Sequence, residues 1–432
     1  MILKKENLIP ILFFSLYCFT SLISNHGAID KIGPQWLYLS IINLGGLLYL
    51  ANNSEDLKIS LSQALTNKPF ILLSAFVLWG LLSYFYALNQ VEVLVKFFRW
   101  INVVIALLIC STLAFQLKNA LLITSILFSI ILTAELYFSY SPYFQIVSLS
   151  EYNFTFANVL KGASANKNIT AASILIKLPF VFYLIGKYKN TFVQFAGFIF
   201  IGSTTFMILL LSARASIISL IFIIAIIILF KAIQFFKTKE KEIIKSTILL
   251  LIPIFLSICI FQVTYGSQNS ASILNRVSTI NTDDTSTQQR LRYYFHSLDQ
   301  IKNNPILGVG MGNWKIKSVE YDKEKINGYI VPYHTHNDFL EFGAELGIIG
   351  FFLYLGIFLY MIKEVLIKLK EEIHKMKVAP EALILLLGGL VYFIDANLNF
   401  PHARVGMQIP FIFYIAMFSQ LIKKRNSEPE LE

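Results

Sequence analysis

The chain has 432 residues, 56% hydrophobic and only 14% charged, with 38 phenylalanines and a mean hydropathy of +0.64. Soluble domains carry roughly a quarter charged residues, so a pair of soluble domains is excluded, and repeated apolar runs near the bilayer-crossing length read as membrane spans. The formal charge of +10 is explained by lysines clustered between those runs and does not imply nucleic acid.

In chain order, Lys4 and Lys5 precede an apolar run from Leu8 to Ile23. No small-residue cleavage site follows, so the run reads as an uncleaved first span. Twelve spans are placed in all, at about 8–24, 35–51, 69–88, 92–115, 119–139, 169–186, 192–213, 215–236, 245–263, 346–367, 381–398 and 408–423. Cys18, Cys110 and Cys259 fall inside these runs and read as packing residues rather than a disulfide framework.

With the N-terminus in the cytoplasm, Lys58, Lys68, Lys118, Lys187 and Lys189 fall on the cytoplasmic side, as do Lys231 to Lys245 and Lys363 to Lys377. The opposite connections are poorer in lysine, which is the positive-inside pattern. An even number of spans returns the C-terminus to the cytoplasm. The expected organisation is an all-α polytopic membrane protein. Nine spans lie in 1–263, one large external loop in 264–345, three spans in 346–425 and a cytoplasmic tail in 426–432. Segments 25–34, 140–168 and 399–407 face the same side as the loop.

Within the loop, Gln268 to Gln289 is rich in Ser, Thr, Asn and Asp and reads as irregular. Leu291, Phe295, Leu298 and Ile301 recur at helical spacing to Asn303. Asn304-Pro305 stops that helix. The Gly308-Val309-Gly310-Met311-Gly312-Asn313 stretch lacks the Gly-Lys-Ser/Thr ending of a nucleotide loop. Its glycines suit a sharp fold against the membrane domain. A lysine- and acid-rich segment runs to Gly328, and Pro332 precedes His334-Thr335-His336-Asn337-Asp338-Phe339-Leu340-Glu341.

His336 is the first candidate for chemistry. A neutral histidine at the membrane surface suits the removal of a hydroxyl proton, and Asn337, Asp338 or Glu341 would orient or tune it. The alternative is a capping histidine at the start of the tenth span. His334, two residues away in an extended segment, points elsewhere and reads as a supporting residue. The His-x-His pair with acidic neighbours is made of metal-ligand types, but no third ligand stands at a recognisable spacing, and no metal is expected.

Arg214, between two apolar runs, either marks a tight turn or clamps a phosphate with its guanidinium fork. Arg290 and Arg292 begin the loop helix; two residues apart they do not share a face, so one at most is central. Asp283 and Asp284 would pair with either in a surface network. Lys96 and Arg99 share a face and would hold an anionic lipid head group, as substrate or as bilayer anchor. His402 and Arg404 are placed to complete a polar cavity. Asn166 and Asn168 precede the sixth span, with Asn168 suited to cap it.

These residues carry a resemblance. His336-Asn337, nine residues, then Gly347 and Gly350 is similar to the histidine motif of bacterial O-antigen ligases and polymerases. Arg290-Leu291 followed by Asn304-Pro305-Ile306-Leu307-Gly308-Val309-Gly310 resembles that family's loop signature. Ser212-Ala213-Arg214 resembles its arginine at a span end, and Ala165-Asn166-Lys167-Asn168 its asparagine before a middle span. The resemblance covers roughly 69–420.

It implies a GT-C-like, metal-independent and cofactor-free glycosyltransferase of the bacterial inner membrane. The donor would be a polyprenyl-diphosphate-linked glycan, and the acceptor a hydroxyl of lipid A core or of another glycan, lipid or protein. His336 would be the base in an inverting displacement on the periplasmic face, with Arg214 and Arg290 clamping the diphosphate. A repeat-unit polymerase of the same architecture is the close alternative. A polytopic glycolipid transporter is the more distant one, disfavoured because the unusual residues gather on one face rather than along the spans. Nothing in the sequence sets an oligomeric state.

Overall fold

The computed structural model describes residues 7–23, 30, 32–149, 154–164, 166–266, 285–326, 331–372 and 380–427. Lys4 and Lys5, residues 267–284 with Asp283 and Asp284, and Lys375 and Lys377 lie outside the described residues; of the stretch expected to be irregular, Thr285 to Gln289 is described and is helical. Among the described residues every regular element is a helix. They are α1 (Leu8–Phe19), α2 (Gly33–Asn52), α3 (Ser54–Leu65), α4 (Lys68–Leu82), α5 (Gln90–Gln116), α6 (Ala120–Leu149), α7 (Lys167–Lys187) and α8 (Thr191–Leu211). There follow α9 (Arg214–Thr238), α10 (Lys241–Tyr265), α11 (Thr285–Asn303), α12 (Trp314–Asp322), α13 (Asp338–Glu372), α14 (Glu381–Leu398) and α15 (Val405–Ser427).

Each of the twelve predicted spans falls on one of these helices, and ten are long and apolar enough to cross a membrane. The chain is a multi-pass, all-α membrane protein. α1, with 12 residues, is shorter than the ten, and α2 is less apolar. Yet α2 exposes Leu37, Ile41, Leu44 and Leu48 along one helical stripe. Its Asn43 turns inward, accepting from Tyr17 Oη at 2.8 Å and donating to Asn102 Oδ1 at 2.8 Å. Leucine outward and amide inward is the arrangement that lipid as solvent demands.

Two elements differ from expectation. The link between the second and third spans is itself helical: α3 packs on α5, buries Leu57 and Ala64, and carries Glu55 and Asp56 in its first turn, where acids suit the helix dipole. Its apolar side is too narrow to stand out in a hydropathy window. Cys18 and Cys110 are buried as expected, but Cys259 is exposed on α10.

α7 and α15 form the centre and are buried nearly end to end. α15 lies along α5, α14 packs on α7 and α13, and α13 on α4. Aromatic stacking joins the central helices, with Phe180 4.6 Å from Tyr414 and 4.9 Å from Phe128. An ion pair also lies inside the bundle: Lys177 Nζ of α7 stands 2.9 Å from both Glu135 oxygens of α6 and donates to Ser173 O and Oγ. The amine's three protons and the carboxylate are all engaged, which is the condition for keeping two charges at such depth. Neither residue stands out in the sequence, because each is a single charge within a long apolar run.

Candidate active site

The site is built on a break in α13. Gly347 has φ 65° and ψ −169°, a region essentially confined to glycine. A break in a spanning helix frees backbone groups that lipid cannot satisfy, and the loop after α11 satisfies them. Ile348 N donates to Pro305 O at 2.8 Å, Val309 N to Ala344 O at 3.1 Å and Gly310 N to Glu345 O at 2.8 Å. Trp79 Nε1 of α4 reaches Leu346 O at 2.9 Å. The loop glycines thus do what their spacing suggested, letting backbone meet backbone. Asn313 then latches the loop to α5, accepting from Asn89 N at 2.7 Å.

The two turns of α13 before the break present Asp338 and Glu341 to histidines, though not to the expected one. Glu341 holds His334, its Oε1 3.0 Å from Nδ1 and its Oε2 accepting from Thr335 N at 3.0 Å. Asp338 holds His402, 64 residues along the chain, at 2.7 Å from Nδ1. Asn337 caps α13, its Oδ1 accepting from Leu340 N at 3.0 Å. None of the three side chains has a hydrogen bond to His336.

His402 is buried beneath Trp100 and Phe342. Burial alone would lower its pKa, but Asp338 and Glu341 outweigh that and the opposing Lys96, pushing it up to about 9. Lys96 Nζ stands 3.0 Å from Nε2 and 3.7 Å from Glu341. At that pKa the ring is an imidazolium near pH 7, with Nδ1 donating to Asp338 and Nε2 3.4 Å from Glu341 Oε1, and Lys96 is a like-charged neighbour that shares Glu341.

His334, Glu341 and His402 bring three metal-ligand atoms within 4.8 Å of one another. His402 is the third ligand type that sequence spacing did not show. Lys96 already supplies a positive charge at contact distance from two of them, and a divalent cation would meet that charge head-on.

His336 has φ 60°, left-handed for a residue with a β-carbon. Its Nδ1 is buried without a hydrogen-bond partner, its ring lies edge-on to Phe400 at 5.1 Å, and its carbonyl accepts from Tyr294 Oη at 3.0 Å. Burial first, then the positive charge of Arg290, lowers its pKa to about 4. His334 is also brought to about 4 by burial, against the pull of Glu341. Both rings are therefore neutral near pH 7.

Two cavities meet here. One of about 240 Å³ is lined by His336, His334, Tyr333, Asn166, Asn168 and Phe400, among others. The other, about 430 Å³, is lined by Lys96, Arg99, Lys315 and Arg404 together with Glu341 and Glu345. Tyr333 and His334 belong to both walls, with His334 stacked 4.4 Å over Phe400. Arg99 pairs with Asp30 at 3.4 Å and Lys315 with Glu92 at 2.5 Å. Arg404 lies over Phe400 at 5.3 Å with its Nε buried and unpaired, and burial lowers its pKa.

Residues 196–355, from α8 into α13, match the family model described as O-antigen ligase. An O-antigen ligase domain occupies this part of the chain. That is the family the motifs resemble, and it supports a glycosyltransferase function of the O-antigen ligase and polymerase type. No curated protein matches the chain. The ligase domain contains His334, His336, Arg214 and Arg290, whereas Lys96, Arg99, Asn168 and Arg404 reach the cavities from outside it; His402, also outside it, lines neither cavity and lies behind the wall on Asp338.

The remaining predicted residues are distributed as follows. Arg214 opens α9 and donates to Thr287 Oγ1 of α11 at 3.2 Å. Arg290 lies one turn further along α11, where its charge is felt at His336. Among the described residues neither arginine lines the two cavities. Arg292, on another face, is held by Asp322 through 2.6 and 3.2 Å bonds; it braces α11 against α12 and lines neither cavity. The cap of α7 is Asn166, accepting from Asn168 N at 2.9 Å, rather than Asn168, whose side chain is left to the cavity wall. Sequence reasoning missed Tyr333, Phe400 and Tyr294, which carry no signal beyond lying close to the motif histidines or in the loop helix.

Proposed function

We propose that the chain is a ligase-type transferase moving a glycan from a polyprenyl diphosphate to an acceptor hydroxyl on the non-cytoplasmic side of the bacterial inner membrane. The lysine distribution supports both termini being cytoplasmic. The observation that carries the reading is His336: a neutral imidazole in a left-handed backbone, on a cavity wall, with an unpaired ring nitrogen. Local irregularity of this kind persists where function requires it.

In the proposed reaction His336 takes the proton of the acceptor hydroxyl as its oxygen attacks the anomeric carbon. The carbon–oxygen bond to the diphosphate breaks on the opposite side, so configuration inverts and no metal is required. Negative charge grows on the departing diphosphate. Arg214 and Arg290 flank it, and they stabilise that growth more than the ground state. The Thr287 bond supports this pairing, since it joins the first residue of α9 to the turn that precedes Arg290. Lys96, Arg99 and Arg404 would receive anionic groups of the acceptor, such as those of a lipid A core, in the adjoining cavity.

A second assignment of the base has its own support. His334 is oriented by Glu341 at 3.0 Å, the carboxylate–imidazole arrangement common to many catalytic bases, and it borders both cavities. His336→Ala and His334→Ala, in a reconstituted transfer assay with protein level and melting checked, separate the two. His336→Ala is expected to lower transfer at least about 100-fold with the fold retained. Near-normal transfer in His336→Ala beside a collapse in His334→Ala would move the base to His334. Loss of the protein in cells should leave long glycan chains on the carrier; single repeat units there would instead identify a polymerase.

A further inference from the structure

Four basic and four acidic side chains line the chamber of about 430 Å³ beside His334, and most of them are engaged with one another. Arg99 is held by Asp30 at 3.4 Å and Lys315 by Glu92 at 2.5 Å. Lys96 lies 3.7 Å from Glu341. Two groups are left over. Among the described residues no acid pairs with Arg404; its guanidinium rests over Phe400 at 5.3 Å and its Nε is buried without a hydrogen-bond partner. Glu345 Oε1 accepts from Trp314 N at 3.2 Å, while its Oε2 is buried and has no hydrogen bond.

The chemistry these two groups ask for is specific. A guanidinium fork matches a planar carboxylate through two parallel bonds. Arg404 also stands immediately before α15, where the positive end of the helix dipole adds to the attraction for an anion. A lone carboxylate oxygen such as Glu345 Oε2 is satisfied by a hydroxyl donor. A carboxylate and several hydroxyls on one small ring make an acidic sugar, and the chamber has room for one. Charge also sets a limit. The three other bases already have acids beside them, so one negative charge is welcome at Arg404. A phosphate monoester brings close to two, and the second would face Glu341 and Glu345.

We infer that this chamber is a binding site for a carboxylated sugar of the acceptor, with the carboxylate on the Arg404 fork and a hydroxyl on Glu345. Given the transfer function proposed above, on which this assignment rests, the acid belongs to a sugar neighbouring the one that bears the attacking hydroxyl. Tyr333 and His334 form the wall shared by the two chambers, so consecutive residues of one glycan reach both. The acceptor class is therefore a glycan containing a uronic or ulosonic acid.

The test uses the full-length protein purified in detergent, with methyl β-glucuronide, methyl β-glucoside and methyl β-glucoside 6-phosphate as probes. Titration by saturation-transfer NMR reads binding without a transfer step, and thermal melting checks the fold of each variant. The glucuronide is expected to bind at least about tenfold more tightly than the other two. Arg404→Gln should erase that preference, and Arg404→Lys, which keeps the charge and loses the fork, should retain only part of it. His336→Ala should bind the glucuronide as the parent does, so failure of the transfer reading and failure of this site are read separately. Glucuronide affinity no better than that of the glucoside, undetectable binding included, would overturn the proposal. So would equal binding of the phosphate, or an undiminished preference in either Arg404 variant that folds.

Discussion

Gly347→Ala tests whether the site depends on the break in α13. An added Cβ would lie 2.1 Å from Ile306 O and 2.7 Å from Pro305 O. Ordinary contacts begin near 3.5 Å, so the loop has to retreat by more than about 1 Å. The backbone conformation alone costs a residue with a β-carbon about 1–3 kcal/mol. Detaching Pro305 O from the Ile348 amide adds about 1–3 kcal/mol for a buried group left unpaired. The total, roughly 2–6 kcal/mol, is a large part of the stability of most domains. Thermal unfolding of the purified protein, read beside transfer activity, should show a melting temperature several degrees lower and a large loss of transfer. Gly389→Ala is the control. Its Cβ would have nothing within 4 Å, and alanine in a helix interior is favoured over glycine by about 0.5–1 kcal/mol. A Gly347→Ala protein that melts within about 1 °C of the parent and transfers normally would refute the account of how the loop is held.

Arg214→Lys keeps the charge but loses the fork and its bond to Thr287. Donor affinity or turnover in the reconstituted assay should fall by about tenfold or more, and unchanged values would count against the clamp. Asp322→Asn frees Arg292, so α11 should loosen; melting should fall while kcat stays within about threefold, and a selective loss of kcat would assign Arg292 to the chemistry instead. The pH profile follows from the lowered histidines. A base must be neutral, and burial puts His334 and His336 at about 4, so protonation removes activity only as pH falls towards that value. kcat/KM is expected to be flat from about pH 8 down to about 5 and then to decline; an inflection near 6.5 would mean that the active histidine is solvated.

The spans, the end of the loop helix and the glycine-rich turn could be read from the chain alone because each rests on a one-body property. A residue's transfer free energy into lipid, or a glycine's freedom of φ, is set by its own chemistry and its near neighbours in sequence. That is why all twelve predicted spans fall on helices and why the Gly308–Gly312 stretch packs as its spacing suggested. Where single-residue preference is weak the reading loses detail, as at α3, whose narrow apolar face leaves no mark on hydropathy.

Pairing belongs to the tertiary structure. Glu341 and Asp338 lie close to His336 in sequence, yet the helix that begins at Asp338 turns one to His334 and the other to His402. Lys96 reaches the same cluster from α5, and Arg292 turns away to Asp322. Glu135 and Lys177 find each other across two helices whose apolar runs hide them equally well. Each outcome depends on helix rotation and on which ends the bundle brings together. Electrostatic attraction acts over a few ångströms of space, and distance along the chain says little about that.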